Sequence, residues 1–528
     1  MSTQLPSCSY QTVRSKLLAR EEIALLDVRE EDPHAQAHPL FAAHFPLARI
    51  ELDAYAKLPR KDVPIVTLDN GEGYAEIAAT RLLELGYANV SVFSGGIQGW
   101  QSCGGELFRD VNVPSKSFGE LVESKNHTPS LSAQQVKKLI DEKADVVVVD
   151  ARRFDEYQTM SIPTGISVPG AELVLRLPLL APNPATQVIV NCAGRTRSII
   201  GTQSLINAGI PNPVAALRNG TMGWTLAGQE LEQGQSRRFG AVSDTSAAEA
   251  ATRARKVADR AGVKRAAIED IDAWQTQIGR TSYFFDTRTA EEYEVGHIPG
   301  FRSVPGGQLV QEIEMVAPVR GARLVLVDRD GVRANMSASW LAQMAWEVCV
   351  IDAVPDEYFS AKGSWETPLP NIATVPTVSA RELHRWLENE EAIVIDLSTH
   401  VDYVRAHIPG AWYALRSQLA QALEQIPKST RYVLTCSTEK LAHIAARELP
   451  ALTQAEVRVL AGGLGAWVDA GFGLGCGATK LASPPRDRYK RPYEGTDSSP
   501  KPMQAYLDWQ GGLVEQLAKD GTHHFWVL

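Results

Sequence analysis

One strand, loop and helix unit recurs four times in a single register, and this constrains the chain more than any other feature. An apolar run ending in aspartate occurs at LLD (Asp27), VVVVD (Asp150), YFFD (Asp286) and IVID (Asp396). Asp150 to Pro163, Asp286 to Pro299 and Asp396 to Pro409 each span 13 positions, while Asp27 to Pro46 spans 19, so the first copy carries an insertion. A second apolar run (PIVTL, QVIVN, RLVLV, RYVLT) ends just before Asp69, Cys192, Asp328 and Cys436, at 42, 42, 42 and 40 positions from the first aspartates. A third leads into a turn and then Trp100, Trp224, Tyr358 and Trp467, which lie 31, 32, 30 and 31 positions further on. In a chain of 528 residues, too long for one core, this periodicity predicts tandem domains.

The runs are short and rich in Val, Ile and Leu, and amphipathic stretches such as SAQQVKKLIDE, IAATRLLELGY and ARELHRWLENE separate them. That alternation predicts α/β units, each a central, mostly parallel sheet covered by helices on both faces in three layers. Ligand sites in such sheets form where a strand's C-terminal end meets the next helix, and positions 69, 192, 328 and 436 all fall there. The expected boundaries are 1–120, 121–243, 244–372 and 373–480, with a C-terminal extension over 481–528. Residues 112–129 and 365–377, rich in Pro, Ser and Thr, read as linkers. The Ala/Arg-rich stretch 244–262 reads as a connecting helix. The tail from 483 ends in AYLDWQGGLVEQLAKDGTHHFWVL, too apolar to be left in water, so it is expected to wrap over another domain or a second subunit, with a catalytic lid as the lesser alternative.

A formal net charge of -9 with no long Lys/Arg block argues against a nucleic-acid or anionic-membrane partner. The first residues lack the apolar core of a signal peptide and no apolar run approaches a membrane span, so the expectation is a cytoplasmic protein. The cysteines at 8, 103, 192, 349, 436 and 476 lack metal-ligand or paired spacing, so neither a metal nor a disulfide framework is expected.

Chemistry concentrates at Cys192. Its loop, Cys192, Ala193, Gly194, Arg195, Thr196, Arg197 and Ser198, offers a thiol, a glycine expected to permit tight curvature, a helix N-terminus and two cationic side chains. The guanidinium groups of Arg195 and Arg197 are expected to favour the thiolate and to orient an anionic substrate. Cys436 is a weaker second candidate, because its loop CSTEKLA has no glycine and sets Glu439 beside Lys440. Asp69 and Asp328 put a carboxylate where Cys192 has its thiol, and a carboxylate can accept the same loop N–H donors, so their domains are expected to be structural and inactive. Asp150 with Arg152, and the corresponding Asp27–Arg29 and Asp286–Arg288, read as loop-orienting pairs. His297 and His407 read as turn residues, and Trp100, Trp224 and Trp467 as packing anchors.

The DxR segments, EYEVGHIPG with its counterpart DYVRAHIPG, the strand–Cys–loop–helix element and the closing GGxxxW resemble the rhodanese (sulfurtransferase) homology domain, in four tandem copies over about nine-tenths of the chain. The resemblance implies that a cysteine accepts a sulfane sulfur as a persulfide and hands it to a nucleophile. The donor expected is a small anion, thiosulfate or a related persulfide, and the acceptor cyanide or a thiol, with no cofactor. The alternative reading is a multi-domain sulfur carrier loaded by a partner enzyme; a relay protein and a homodimer are further candidate partners. A phosphate or arsenate loop needs Cys, five residues and then Arg, whereas here the sixth residue after Cys192 is Ser198 and Arg197 comes one place early. The order Cys-Ala-Gly-Arg-Thr-Arg also departs from the usual family loop, which places Gly fourth, and this leaves the donor open.

Overall fold

A computed structural model describes residues 5–528. Each of the four units builds its own sheet, and the second shows the plan. Its parallel strands lie in the order Ser130–Leu131, Val214–Leu217, Gln187–Asn191, Val146–Asp150 and Ile166–Ser167. The strand leading to Cys192 is therefore central. Val188 and Val190 face one apolar cluster while Ile189 between them faces another, which explains why the run is apolar throughout: both faces of a parallel sheet are covered. The other three units repeat the order, with Ile65–Leu68, Arg323–Val327 and Arg431–Thr435 as central strands. The expected α/β class with four parallel-sheet units holds.

The turns that recur between units have local causes. Arg152 pairs with Asp150 (Nη2–Oδ2 2.8 Å) and donates to the Met160 carbonyl at 2.5 Å, and Arg29 and Arg288 repeat this geometry. The hydroxyls of Tyr157, Tyr293 and Tyr403 each donate to a carbonyl eight residues on, at 2.8 Å. His297 stacks on Tyr293 and His407 on Tyr403, as turn residues should. Trp100, Trp224 and Trp467 are buried, and each indole N–H bonds the carbonyl six residues on. In the third unit the helix at this point shrinks to the turn Asp356–Tyr358, and Tyr358 is 39% exposed.

The units are fused rather than strung out. Val319–Arg320 of the third unit pairs antiparallel with Ile23–Asp27 of the first, and one apolar core runs through both. Unit four docks on unit one through buried Arg416, whose guanidinium meets Glu51 at 2.5 and 2.8 Å and the Ala48 carbonyl at 3.0 Å.

One expected linker is corrected. Within 112–129 the chain forms the helix Val113–Asn126, largely buried, so the expected 120/121 boundary falls inside a helix. Pro114 is tolerated because the first-turn N–H groups have no intrahelical partner. Gly119 sits where a Cβ would lie 2.9 Å from Thr196 Cγ2, so the small residues that suggest a linker instead allow this helix to approach the Cys192 loop. Residues 365–376 do lack regular structure, and the expected connecting helix spans Asp244–Arg260. The tail crosses unit one, where Arg491 pairs with Glu31 at 3.1 Å, and then forms the helices Pro500–Gly511 and Leu513–Asp520 against units one and two. Phe525 packs on Phe41 and Phe118, and the Leu528 N–H reaches Gln343 Oε1 at 2.8 Å. The tail thus covers domains of its own chain.

Candidate active site

Cys192 ends the central strand of unit two and is 2% exposed. Its Sγ lies 3.4 Å from Ser198 Oγ, whose hydroxyl donates to the Arg195 carbonyl at 2.8 Å. The loop carbonyls are tied down by the turn before Trp224: Thr221 N–H donates to Cys192 O at 2.9 Å and Met222 N–H to Ala193 O at 3.1 Å. Gly220 makes that clamp possible, since at its φ of +57° a Cβ would stand 2.2 Å from Cys192 O. Asn191 is held by its own Nδ2, which donates to Asp150 Oδ2 at 2.8 Å.

Gly194 corrects one expectation. It has no positive φ, so tight curvature is not its purpose. It leaves space: a Cβ there would lie 2.9 Å from Met222 Cε, 3.6 Å from Gln510 Oε1 and 3.7 Å from Tyr506 Cε1. The tail presses directly on the loop.

The two arginines also differ from the expectation of free positive charge. Arg195 Nε and Nη2 meet Glu120 at 2.7 Å each, and Nη2 also meets Glu123. Arg197 forms a fork on Glu156 at 2.7 and 2.8 Å. Burial works to raise the Glu156 carboxyl, but Arg197 outweighs it and holds the group at about 2. Unit three repeats this pair, with Arg333 on Glu292 beside an aspartate that cannot carry sulfur, so the pair belongs to the loop's framework. Lys116, from the Val113–Asn126 helix, is likewise paired, with Asp110 at 2.7 Å. Three cations thus face four carboxylates, so the loop carries no surplus positive charge.

A cavity of about 20 Å³ adjoins the sulfur. Cys192, Ala193, Gly194, Arg195, Thr196 and Arg197 line it from unit two, with Ser198 beneath. Ser115 and Lys116 add a wall from the helix between units one and two, Gln311 one from unit three, and Tyr493, Tyr506 and Gln510 a roof from the tail. Sequence reasoning missed these last six because five lie outside the matched repeats and Gln311 belongs to a different repeat from Cys192. A signal existed in Met222, which replaces Gln98 and Gly465 of copies one and four and packs under Met503, Tyr506 and Leu507.

At the three equivalent positions the loop N–H groups find other acceptors. Asp69 takes Gly71 N–H at 2.9 Å and Ala75 N–H at 3.1 Å, and Asp328 takes Gly331 N–H at 2.9 Å and Ala334 N–H at 2.7 Å. Burial and neighbouring Asp330 push the Asp328 carboxyl up. Burial likewise pushes the Cys436 thiol up, against backbone N–H bonds from Thr438, Ala442 and Leu441. Its loop is exposed at Ser437 and Thr438, and Glu439 takes a left-handed φ of +54°. Among the described residues, no group of three or more His, Cys, Asp or Glu is placed to hold a metal, and no helix is long and apolar enough to cross a membrane.

The Rhodanese-like domain family matches this chain four times, over residues 11–103, 132–227, 268–355 and 379–470. A solved structure described as a thiosulfate sulfurtransferase from Pseudomonas aeruginosa is 60% identical, covers 99% of this chain and 100% of its own, and superposes with a TM-score of 0.98. A human single domain sulfurtransferase aligns at 25% identity over 18% of this chain and 96% of its own, with a TM-score of 0.17. A rhodanese-related protein from Thermoplasma volcanium aligns at 16% identity over 19% and 98%, with a TM-score of 0.18. No curated protein matches the chain. With four matched domains in register and a full-length relative that shares them, the chain belongs to the rhodanese-like family.

Proposed function

We propose that the chain is a thiosulfate sulfurtransferase whose working centre is Cys192. The Cys192 thiolate attacks the outer sulfur of thiosulfate, a new S–S bond forms, the donor's S–S bond breaks, and sulfite leaves with the bonding electron pair. Cyanide or a thiolate then attacks the terminal sulfur of the persulfide and departs as thiocyanate or a new persulfide, returning Cys192 as thiolate. Both half-reactions are displacements at sulfur, so no external oxidant, reductant or cofactor is consumed.

The observation that carries this reading is the contrast among four equivalent strand ends. Cys192 is a thiol beside a cavity lined by the tail, unit three and the helix Val113–Asn126; the equivalent carboxylates already occupy their loop N–H donors. The 60% identical thiosulfate sulfurtransferase supports the choice of donor. Units one and three are structural in this reading, and Cys436, with its thiol pushed up by burial, does not turn over. A cytoplasmic setting, which keeps thiols reduced, suits six unpaired cysteines. Intact-mass analysis after incubation with thiosulfate, followed by peptide mapping, should find one sulfur atom added at Cys192. Sulfur on Cys436 alone, or on neither residue, overturns the assignment.

A further inference from the structure

Two carboxamides face the Cys192 cavity without the partners that burial demands. Gln510, on the tail helix Pro500–Gly511, is 1% exposed, and its Oε1 makes no hydrogen bond. Gln311, from unit three, lines the cavity from another side, and its Oε1 is also buried and unpartnered. An orphaned buried polar atom is costly, so two around one small cavity mark a place where a ligand completes the bonding. Each carboxamide carries two N–H donors besides its oxygen, and a half-turn of the amide presents them instead.

The cavity fixes which ligand. It adjoins the sulfur, so an atom added to Cys192 falls among its lining residues, Gln311 and Gln510 included. A persulfide anion next to Cys192 needs hydrogen-bond donors, and the nearby cations are already paired with carboxylates.

We propose that Gln510, from the tail helix, and Gln311 together hold the terminal sulfur of the Cys192 persulfide. This rests on Cys192 being the sulfur-carrying residue. It gives unit three a part in the active site that its own aspartate loop does not suggest. Buried Tyr506, whose hydroxyl burial keeps protonated, is available as a third donor from the same helix.

The test compares persulfide lifetime in the full-length protein. Wild type, Gln510→Met, Gln311→Met and the control Gln516→Leu are loaded with thiosulfate, stripped of donor, and followed by intact mass. Gln516 sits on the next tail helix and bonds the Leu107 carbonyl at 2.9 Å, so its variant loosens tail docking without touching the cavity. Loss of a hydrogen bond to a charged group corresponds to roughly ten- to hundredfold. Gln510→Met and Gln311→Met should therefore shed sulfur at least about tenfold faster than wild type, while Gln516→Leu stays within about twofold. Should Gln510→Met fold poorly, Gln510→Glu keeps the shape, and its negative charge should shorten the lifetime further. Lifetimes equal to wild type in the Gln510 variants, or equal shortening in Gln516→Leu, overturn the inference and leave Cys192 intact. Failure of wild type to gain sulfur at Cys192 overturns the underlying assignment instead.

Discussion

Cys192 and Cys436 end equivalent central strands, are equally buried at 2% exposure, and have a glycine of positive φ, Gly220 or Gly463, pressed against their own carbonyl oxygen. They part in what surrounds the sulfur. Around Cys192, segments from unit three, the Val113–Asn126 helix and the tail line a cavity. Around Cys436, the loop faces outward at Ser437 and Thr438, and Asp396 accepts only the Ser398 N–H, at 2.9 Å, where the other units have an arginine. Burial pushes that Asp396 carboxyl up. The repeat delivers a sulfur to the same place twice, and the neighbours decide whether it has a pocket.

The sharpest way to break this comparison is to remove each sulfur. Cys192→Ser should lower thiosulfate-dependent turnover by about 10³-fold or more, as expected for loss of a covalent nucleophile, while Cys436→Ser stays within about twofold. Equal losses would make the two loops functional partners.

Next come the glycine clamps. A Cβ at Gly220 would lie 2.2 Å from Cys192 O, and one at Gly463 2.5 Å from Cys436 O. Each substitution to Ala should cost about 2 to 4 kcal/mol in chemical denaturation, because backbone must shift and φ is left-handed. Only Gly220→Ala should also impair turnover.

The roof offers a smaller effect. Tyr506→Ala should open the cavity and raise the iodoacetamide reaction rate of Cys192 by about tenfold, with Cys436 unchanged as an internal reference. An unchanged Cys192 rate would mean that the tail does not limit access.

The smallest effect is on acid stability. Glu156, at about 2 when folded against an ordinary 4.5, binds fewer protons folded than unfolded. Its contribution is complete above pH 4.5 and is lost as pH falls toward 2, amounting to about 1 kcal/mol after solvent screening. Glu156→Gln should flatten the acid limb of the unfolding profile over that window. Unit four has no counterpart, since Asp402 and Leu441 occupy the equivalent positions.

Much of this was legible in the residues. The spacings from Asp27 to Asp69 and from Asp150 to Cys192 report strand and crossover lengths, which local chemistry fixes. Asp150 and Arg152 bond within two residues of each other, so their role could be read without a fold. By contrast, Arg195 and Arg197 read as free cations because Glu120, Glu123 and Glu156 lie 75, 72 and 41 positions away. Gly194 read as a bend because the Met222, Tyr506 and Gln510 atoms it makes room for come from other segments.

The sequence by itself determined four parallel-sheet units and the strand ends that carry Asp69, Cys192, Asp328 and Cys436, because hydrophobic period and turn chemistry act over a few residues. The tertiary structure alone decided that the stretch read as a linker is a buried helix, that unit three lends a strand to unit one, and that Lys116, Gln311, Tyr506 and Gln510 converge on one sulfur. Those contacts join residues from dozens to hundreds of positions apart. They follow from how apolar faces find one another in space, which no local pattern encodes.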